Sequence, residues 1–307
     1  MTENKSIQLR RNQKLIIIAV LLSAFTGIVI GYLRKKGLDG TALLYIGVPT
    51  IIGLAFATSS SSSKSAVGAT LKAITFIILV SGPLLQEGFI CMIMAAPIFY
   101  IVGALAAWPF DHYRKKKARE QDASRLNMFI LPALLLTMSM EGVTDYTTFD
   151  RHNTIERTQV VGKSIAEIKS KLAQNRSVPS PDSLFAKFFP RPDVFHSQGL
   201  AVGDKHWIDV SYAKWIYWYE KRGSAIFEVT ENKPGYIKFR SKSDNSYIHS
   251  YLDWGDVTVL LKPVTNTSTR VTWKINFTRK LDPAWYVQPL QRYSVGVLAD
   301  TLTASLI

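Results

Sequence analysis

The chain has a single cysteine, Cys91, in 307 residues. That excludes an intrachain disulfide and any zinc site built from a cysteine cluster. Charge is also scarce, at 20% of residues against 47% apolar. Such a composition excludes a disordered tail protein and a low-complexity array. The catalytic signatures that can be read from spacing are missing as well: there is no H-E-x-x-H pair, no P-loop, no dinucleotide glycine pattern and no nucleophile elbow. His152, His196, His206 and His249 share the C-terminal half without metal-ligand spacing, so neither a metal nor a cofactor is expected.

What is present is basic charge, a formal +14, and its placement decides its meaning. Residues 1–143 hold 15 Lys/Arg against 7 Asp/Glu, and residues 144–307 hold 22 against 16. In the first part the basic clusters flank long apolar runs, as topology determinants do on the cytoplasmic side of a membrane. No nucleic-acid-binding motif accompanies them, so nucleic acid is not an expected partner. The lipid bilayer is.

The runs predict four or five membrane spans at about 15–33, 41–57, 66–86, 89–108 and 126–142. Each approaches the ~20 residues that a ~30 Å hydrocarbon core requires. The second contains Pro49, and the third needs Lys72 to extend its ammonium to the interface. Five serines, Ser59 to Ser63, separate those two as a polar loop. Gly82, Pro83, Glu87 and Gly88 predict a tight hairpin before the fourth span, which Trp108 closes. Glu87 is the one ionisable candidate for a ligand or proton role, with a helix end as the plainer reading. With the N-terminus inside, 12 basic residues face the cytoplasm and 3, Arg34 to Lys36, face away. If Leu126 to Met140 crosses, as Arg125 before it and Glu141 after it suggest, the C-terminal half is exported.

Residues 144–307 predict one α+β domain. Thr154 to Val161 forms a strand, Ile165, Ile168 and Leu172 recur at helical spacing, and four prolines make residues 177–192 a loop. Strands follow at Trp207 to Tyr212, Trp215 to Tyr219, Ala225 to Val229, Tyr236 to Phe239, Val257 to Leu261 and Thr269 to Arg279. In the last, Val271, Trp273, Ile275 and Phe277 point one way and Arg270, Thr272 and Lys274 the other. Asp282 as N-cap and Pro283 as first residue open a long terminal helix with Leu290, Val297, Leu298 and Leu302 on one face. Pro289 kinks it or marks its start. Asp253 and Asp256, on either side of Trp254-Gly255, fit a turn or bulge better than an acid–base pair.

Strand, helix, proline-rich loop, antiparallel meander and long C-terminal helix, in that order, resemble the helix-grip fold of the START-like superfamily (SRPBCC; polyketide cyclase/dehydrase and lipid transport). E-G-F-I-C-M-I-M-A-A-P at 87–97, F-H-S-Q-G-L-A-V-G-D-K-H-W-I at 195–208 and L-D-P-A-W-Y-V-Q-P-L-Q-R-Y at 281–293 are similar to bacterial multi-pass membrane proteins carrying such a domain. The resemblance implies a transmembrane helical bundle, a bacterial inner-membrane location, and a cavity between a curled sheet and its terminal helix. It does not imply catalysis.

The expected cavity-lining residues are Trp207, Tyr212, Trp215, Tyr217, Trp273, Leu290 and Val297; the plainer reading of the aromatic ones is sheet core. Membrane-anchored, non-catalytic binding of a lipid or other hydrophobic molecule is the function expected. An accessory subunit docked on a membrane-protein partner and a cyclase- or dehydratase-like enzyme are the alternatives. A co-purifying polypeptide would mark the first of these; the second needs polar side chains inside the cavity, so a wall of hydrocarbon alone would remove it.

Overall fold

A computed structural model describes residues 25–58, 65–85, 89–118, 127–179, 190–213 and 220–307. The chain divides into two compact units, Met1–Phe149 and Asp150–Ile307. The serine run, Glu87, Trp215, Tyr217 and most of the first expected span lie outside the described residues.

The first unit is helical. α1 is seen over residues 25–35. α2 begins as a π turn at Leu43–Gly47 and continues as Val48–Thr58, and α3 is Ala66–Leu85. α4 runs over Phe89–Ala118 and α5 over Asn127–Met138. Two expectations change here. Gly82 and Pro83 lie within α3, where a hairpin was expected. α4 continues past Trp108 through Pro109 to Ala118, because its last turns carry the caps of two neighbouring helices. Asp111 accepts hydrogen bonds from Ser65 Oγ at 2.7 Å and from the backbone N–H groups of Ala66 at 2.7 Å and Val67 at 3.1 Å. One turn on, Arg114 Nη2 donates to the Ala57 carbonyl at 2.7 Å. A carboxylate thus meets the positive end of α3 and a guanidinium the negative end of α2.

These caps and the contacts around them fix the direction of each helix. The end of α2, the start of α3 and the end of α4 meet around Ala57, Ala66, Ala107 and Phe110, and Phe129 of α5 meets Phe110 edge-on. At the far end of α5, the Glu141 carbonyl accepts from Ala42 N–H, at the start of α2. The helices therefore alternate up and down.

Among the described residues one stretch, Cys91–Lys117, is long and apolar enough to cross a membrane; the apolar helices at Leu43–Thr58, Ala66–Val80 and Met128–Met138 are shorter. The described part of α5, 12 residues or ~18 Å, ends at Met138, short of the end at 142 expected for this span.

Small and hydroxylated residues fill the interior of this unit, with Thr50, Thr70 and Ala106 fully buried, while Ile28, Leu79, Ile101 and Leu134 are more than half exposed. A Cβ on Gly53 would stand 2.8 Å from Ala106 Cβ and 3.0 Å from the Gly103 carbonyl. Neither neighbour can rotate away. Gly53→Leu should part α2 from α4, at the ~1–3 kcal/mol or more of an overpacked core. Its signature is a lower melting temperature for the helical far-UV signal with the sheet transition unchanged; an unshifted helical melt refutes the close approach.

The second unit is one antiparallel sheet with two helices. Its strands are β1 (His152–Val161), β2 (Arg176–Ser177), β3 (Arg191–Ser197), β4 (Lys205–Ala213), β5 (Glu220–Lys233), β6 (Tyr236–Asp244), β7 (Leu252–Thr265) and β8 (Ser268–Arg279). They are ordered β1-β8-β7-β6-β5-β4-β3-β2. α6 (Ile165–Leu172) follows β1, and α7 (Ala284–Ala304) ends the unit. The curled antiparallel sheet with its long terminal helix has the helix-grip arrangement. Val271, Trp273, Ile275 and Phe277 of β8 are buried, as their alternation predicts. α6 starts where Ser164 Oγ accepts from Glu167 N–H while Glu167 reaches back to Ser164 N–H, a capping box.

Three local features differ from the sequence reading or refine it. β3 contains Pro192, inside the stretch expected to be a loop. Pro192 pairs with Val210 of β4, while β2 pairs with Phe195 and Val194, so no described residue of β2 meets Pro192; proline is tolerated where its missing N–H faces no ladder partner. Asp282 is not the N-cap of α7: Pro283 holds that position without a side-chain cap bond, and Asp282 is buried against Arg279 and Arg151. Helix α7 also begins before Pro289, which sits inside it. The register shift between Trp254 and Val257 makes the W-G-D segment a bulge.

Candidate functional site: an apolar cavity beneath the terminal helix

The concave face of the sheet and α7 enclose a cavity of about 70 Å³. Strand alternation builds it. On β4, His206, Ile208 and Val210 face inward, and Phe227, Phe239, Trp273 and Ile275 continue the wall on later strands. Leu298 and Leu302, one helical turn apart, close it from α7. The space is about half the ~150 Å³ that admits a benzene and well under the ~300–1,000 Å³ of common ligand pockets.

Of the residues singled out from sequence, Trp273 lines the cavity, and its indole N–H donates to Thr303 Oγ1 at 3.0 Å. Trp207 is the odd-numbered neighbour of lining residues on β4 and is not part of the wall. Tyr212 shares the inward parity but is buried by stacking on Tyr247, with ring centroids 4.1 Å apart. Leu290 and Val297 are half-buried away from the wall, since a helix turns ~100° per residue and Leu298 takes the inward direction.

Two polar wall residues escaped the sequence reading. His206 is buried, with Nε2 2.8 Å from the Gly199 carbonyl and its ring edge-on to Phe239. A carbonyl only accepts, so Nε2 carries the proton. Burial pushes the His206 pKa down; the Gly199 bond opposes this, the Arg176 charge adds to it, and Asp204 opposes it. Strand parity with Ile208 and Val210 could have revealed this residue. Arg176, on two-residue β2, left no such pattern.

Arg176 is half-buried beside Phe195, with its guanidinium carbon 4.4 Å from the ring centroid. Nε donates to Ser305 Oγ at 3.1 Å and Nη1 to the Lys171 carbonyl at 3.2 Å. Burial lowers its pKa to about 10. No carboxylate among the described residues pairs with it.

His206 gives the unit a pH dependence with a definite sign. Its native pKa lies below the ordinary value of about 6.5, so below that pH the unfolded chain binds the proton more readily. The contribution is present above about pH 6.5 and lost as pH falls, with a slope of at most ~1.4 kcal/mol per pH unit. His206→Gln should flatten the change in melting temperature between pH 7.5 and 5.5. Equal slopes in wild type and variant would refute it.

The remaining candidates sit apart from the cavity. Asp256 pairs with Lys238 at 2.8 Å and Arg240 at 3.1 Å, and Asp253 with Lys280 at 2.7 Å. These are charge-paired surface carboxylates flanking the bulge. His196 pairs with Asp209 and His249 with Asp253. No group of three or more His, Cys, Asp or Glu comes together among the described residues.

No family model matches the chain, and no curated protein does. Solved structures do resemble half of it. A START superfamily protein from Mycobacterium smegmatis shares 16% identity over 50% of this chain and 96% of its own, with a TM-score of 0.32. A protein from Thermus thermophilus shares 12% over 50% and 97%, with 0.31. Norcoclaurine synthase from Thalictrum flavum, in complex with dopamine and hydroxybenzaldehyde, shares 16% over 50% and 85%, with 0.32. At these identities the likeness leaves ligand and chemistry open.

Proposed function

We propose that the chain is a membrane-anchored, non-catalytic binding or transfer protein for a lipid or other hydrophobic molecule, held in the cavity of residues 150–307. The observation that carries this reading is the wall itself: aromatic and aliphatic side chains from six strands and α7 converge on one space, and apolar concavities with few polar groups suit apolar ligands. At about 70 Å³ the space is too small for an acyl chain, so loading requires it to widen.

Anchoring is supported by the first unit's distribution of side chains. Large apolar residues on the outside and Gly, Ala and Thr at helix contacts are what lipid-facing helices need, and water-facing bundles avoid such patches. The alternation of α2 to α5 places Arg114 to Lys117 at the opposite end from Glu141. With the 12-to-3 charge bias, this supports a cytoplasmic N-terminus and an exported second unit. Reporter fusions after Arg119 and after Ile307 should give opposite topological signals; equal signals overturn the export.

For the binding reading, lipid extraction from the detergent-purified full chain should release an apolar molecule. Ala225→Leu, which pushes hydrocarbon into the cavity, should release much less. An empty wild type, or equal yields from both, overturns it.

A further inference from the structure

We propose that Arg176 is the head-group site of the cavity, so that the bound molecule is an amphipathic anion whose carboxylate or phosphate oxygens meet the guanidinium while its hydrocarbon lies against Phe195, Trp273 and Leu298. This rests on the binding reading above and names the class of ligand. Arg176 and His206 are the wall residues that can carry charge. Trp273 Nε1 donates to Thr303 and His206 spends its one proton on the Gly199 carbonyl, which leaves Arg176 as the charged donor for a ligand.

Its structural duties do not exhaust it. The bonds to Lys171, at the end of α6, and to Ser305, just past α7, use one donor each, while a guanidinium carries five. Nη2 has no partner among the described residues. Among the described residues its charge is answered by a carbonyl, a hydroxyl and the Phe195 ring, and no carboxylate pairs with it beside the apolar space. A half-buried guanidinium with spare donors is suited to an oxyanion arriving with a hydrocarbon tail, because charge-assisted hydrogen bonds are among the strong ones. Both tethers also hold the guanidinium between the two helices that border the cavity, so it is preorganised.

The test uses the full chain in a nonionic detergent and three probes with one tail: octanoate, octyl phosphate and octanol. Affinities are read as the ratio of variant to wild type for each probe, which cancels partition into micelles. Arg176→Met should weaken octanoate or octyl phosphate ~10-fold or more, the value of a charge-assisted hydrogen bond, and octanol less than about 2-fold. Arg176→Lys should retain part of the anion preference, and its melt verifies folding if the Met variant is unstable. Whichever anion loses more identifies the head group. If Arg176→Met and Arg176→Lys affect all three probes alike, or none, the head-group assignment fails while cavity binding stands. If no probe binds wild type, both fail. Ala225→Leu should depress all three, which places them in the cavity; unaffected binding there overturns the assignment.

Discussion

Removal of residues 282–307 is expected to unfold the second unit completely while the helices of the first keep their structure. α7 buries Val287, Val295 and Leu302, with Leu306 just beyond it fully buried. Its loss uncovers the inner face of β8 and strips Trp273 Nε1 of its Thr303 partner. Each such aliphatic side chain is worth ~1.5–3 kcal/mol, and together they rival the ~5–15 kcal/mol net stability of a whole domain. The tertiary near-UV signal should vanish and the sheet should become protease-sensitive, with far-UV helix from residues 25–138 retained. A truncated chain that still melts cooperatively near the intact temperature refutes closure by α7.

The second large effect is expected at Asp282. Its carboxylate is fully buried and accepts from Arg279 Nη1 and Arg151 Nη2. Arg279 is itself fully buried, with Nε and Nη2 unpartnered, and also donates to the Leu281 carbonyl. Asp282→Ala would leave a guanidinium in the interior without a counter-charge, a loss of ~3–5 kcal/mol. For a domain of this size that lowers the melting temperature by roughly 6–20 °C. The mechanism makes a second demand. Replacing both partners, Asp282→Leu with Arg279→Met, should recover much of the loss, because the fully buried guanidinium is gone and Arg151, 29% exposed, can turn toward water. A double variant as unstable as Asp282→Ala would show that shape, not charge, holds this corner.

Sequence alone determined the features that local periodicity encodes. Alternation from Val271 to Phe277 revealed the buried face of β8, the spacing of Ile165, Ile168 and Leu172 revealed α6, and Trp254-Gly255 revealed the turn or bulge. These are legible because each depends on residues a few positions apart. The tertiary structure decided whatever depends on distant partners. Pro192 joins a strand because β2 is too short to reach it. Asp282 abandons the cap for two arginines, one of them 131 residues away. α4 outruns Trp108 because Asp111 and Arg114 cap helices that begin or end some fifty residues earlier. The cavity wall belongs to the same class. Aromatic density drew attention to Trp207 and Tyr212, yet strand parity turns one away and stacking occupies the other. Arg176, carried by a strand of two residues, becomes a site only when Phe195, Ser305 and the apolar wall are folded around it. Charge and apolarity are properties of residues, but a cation set beside an apolar space is a property of the fold.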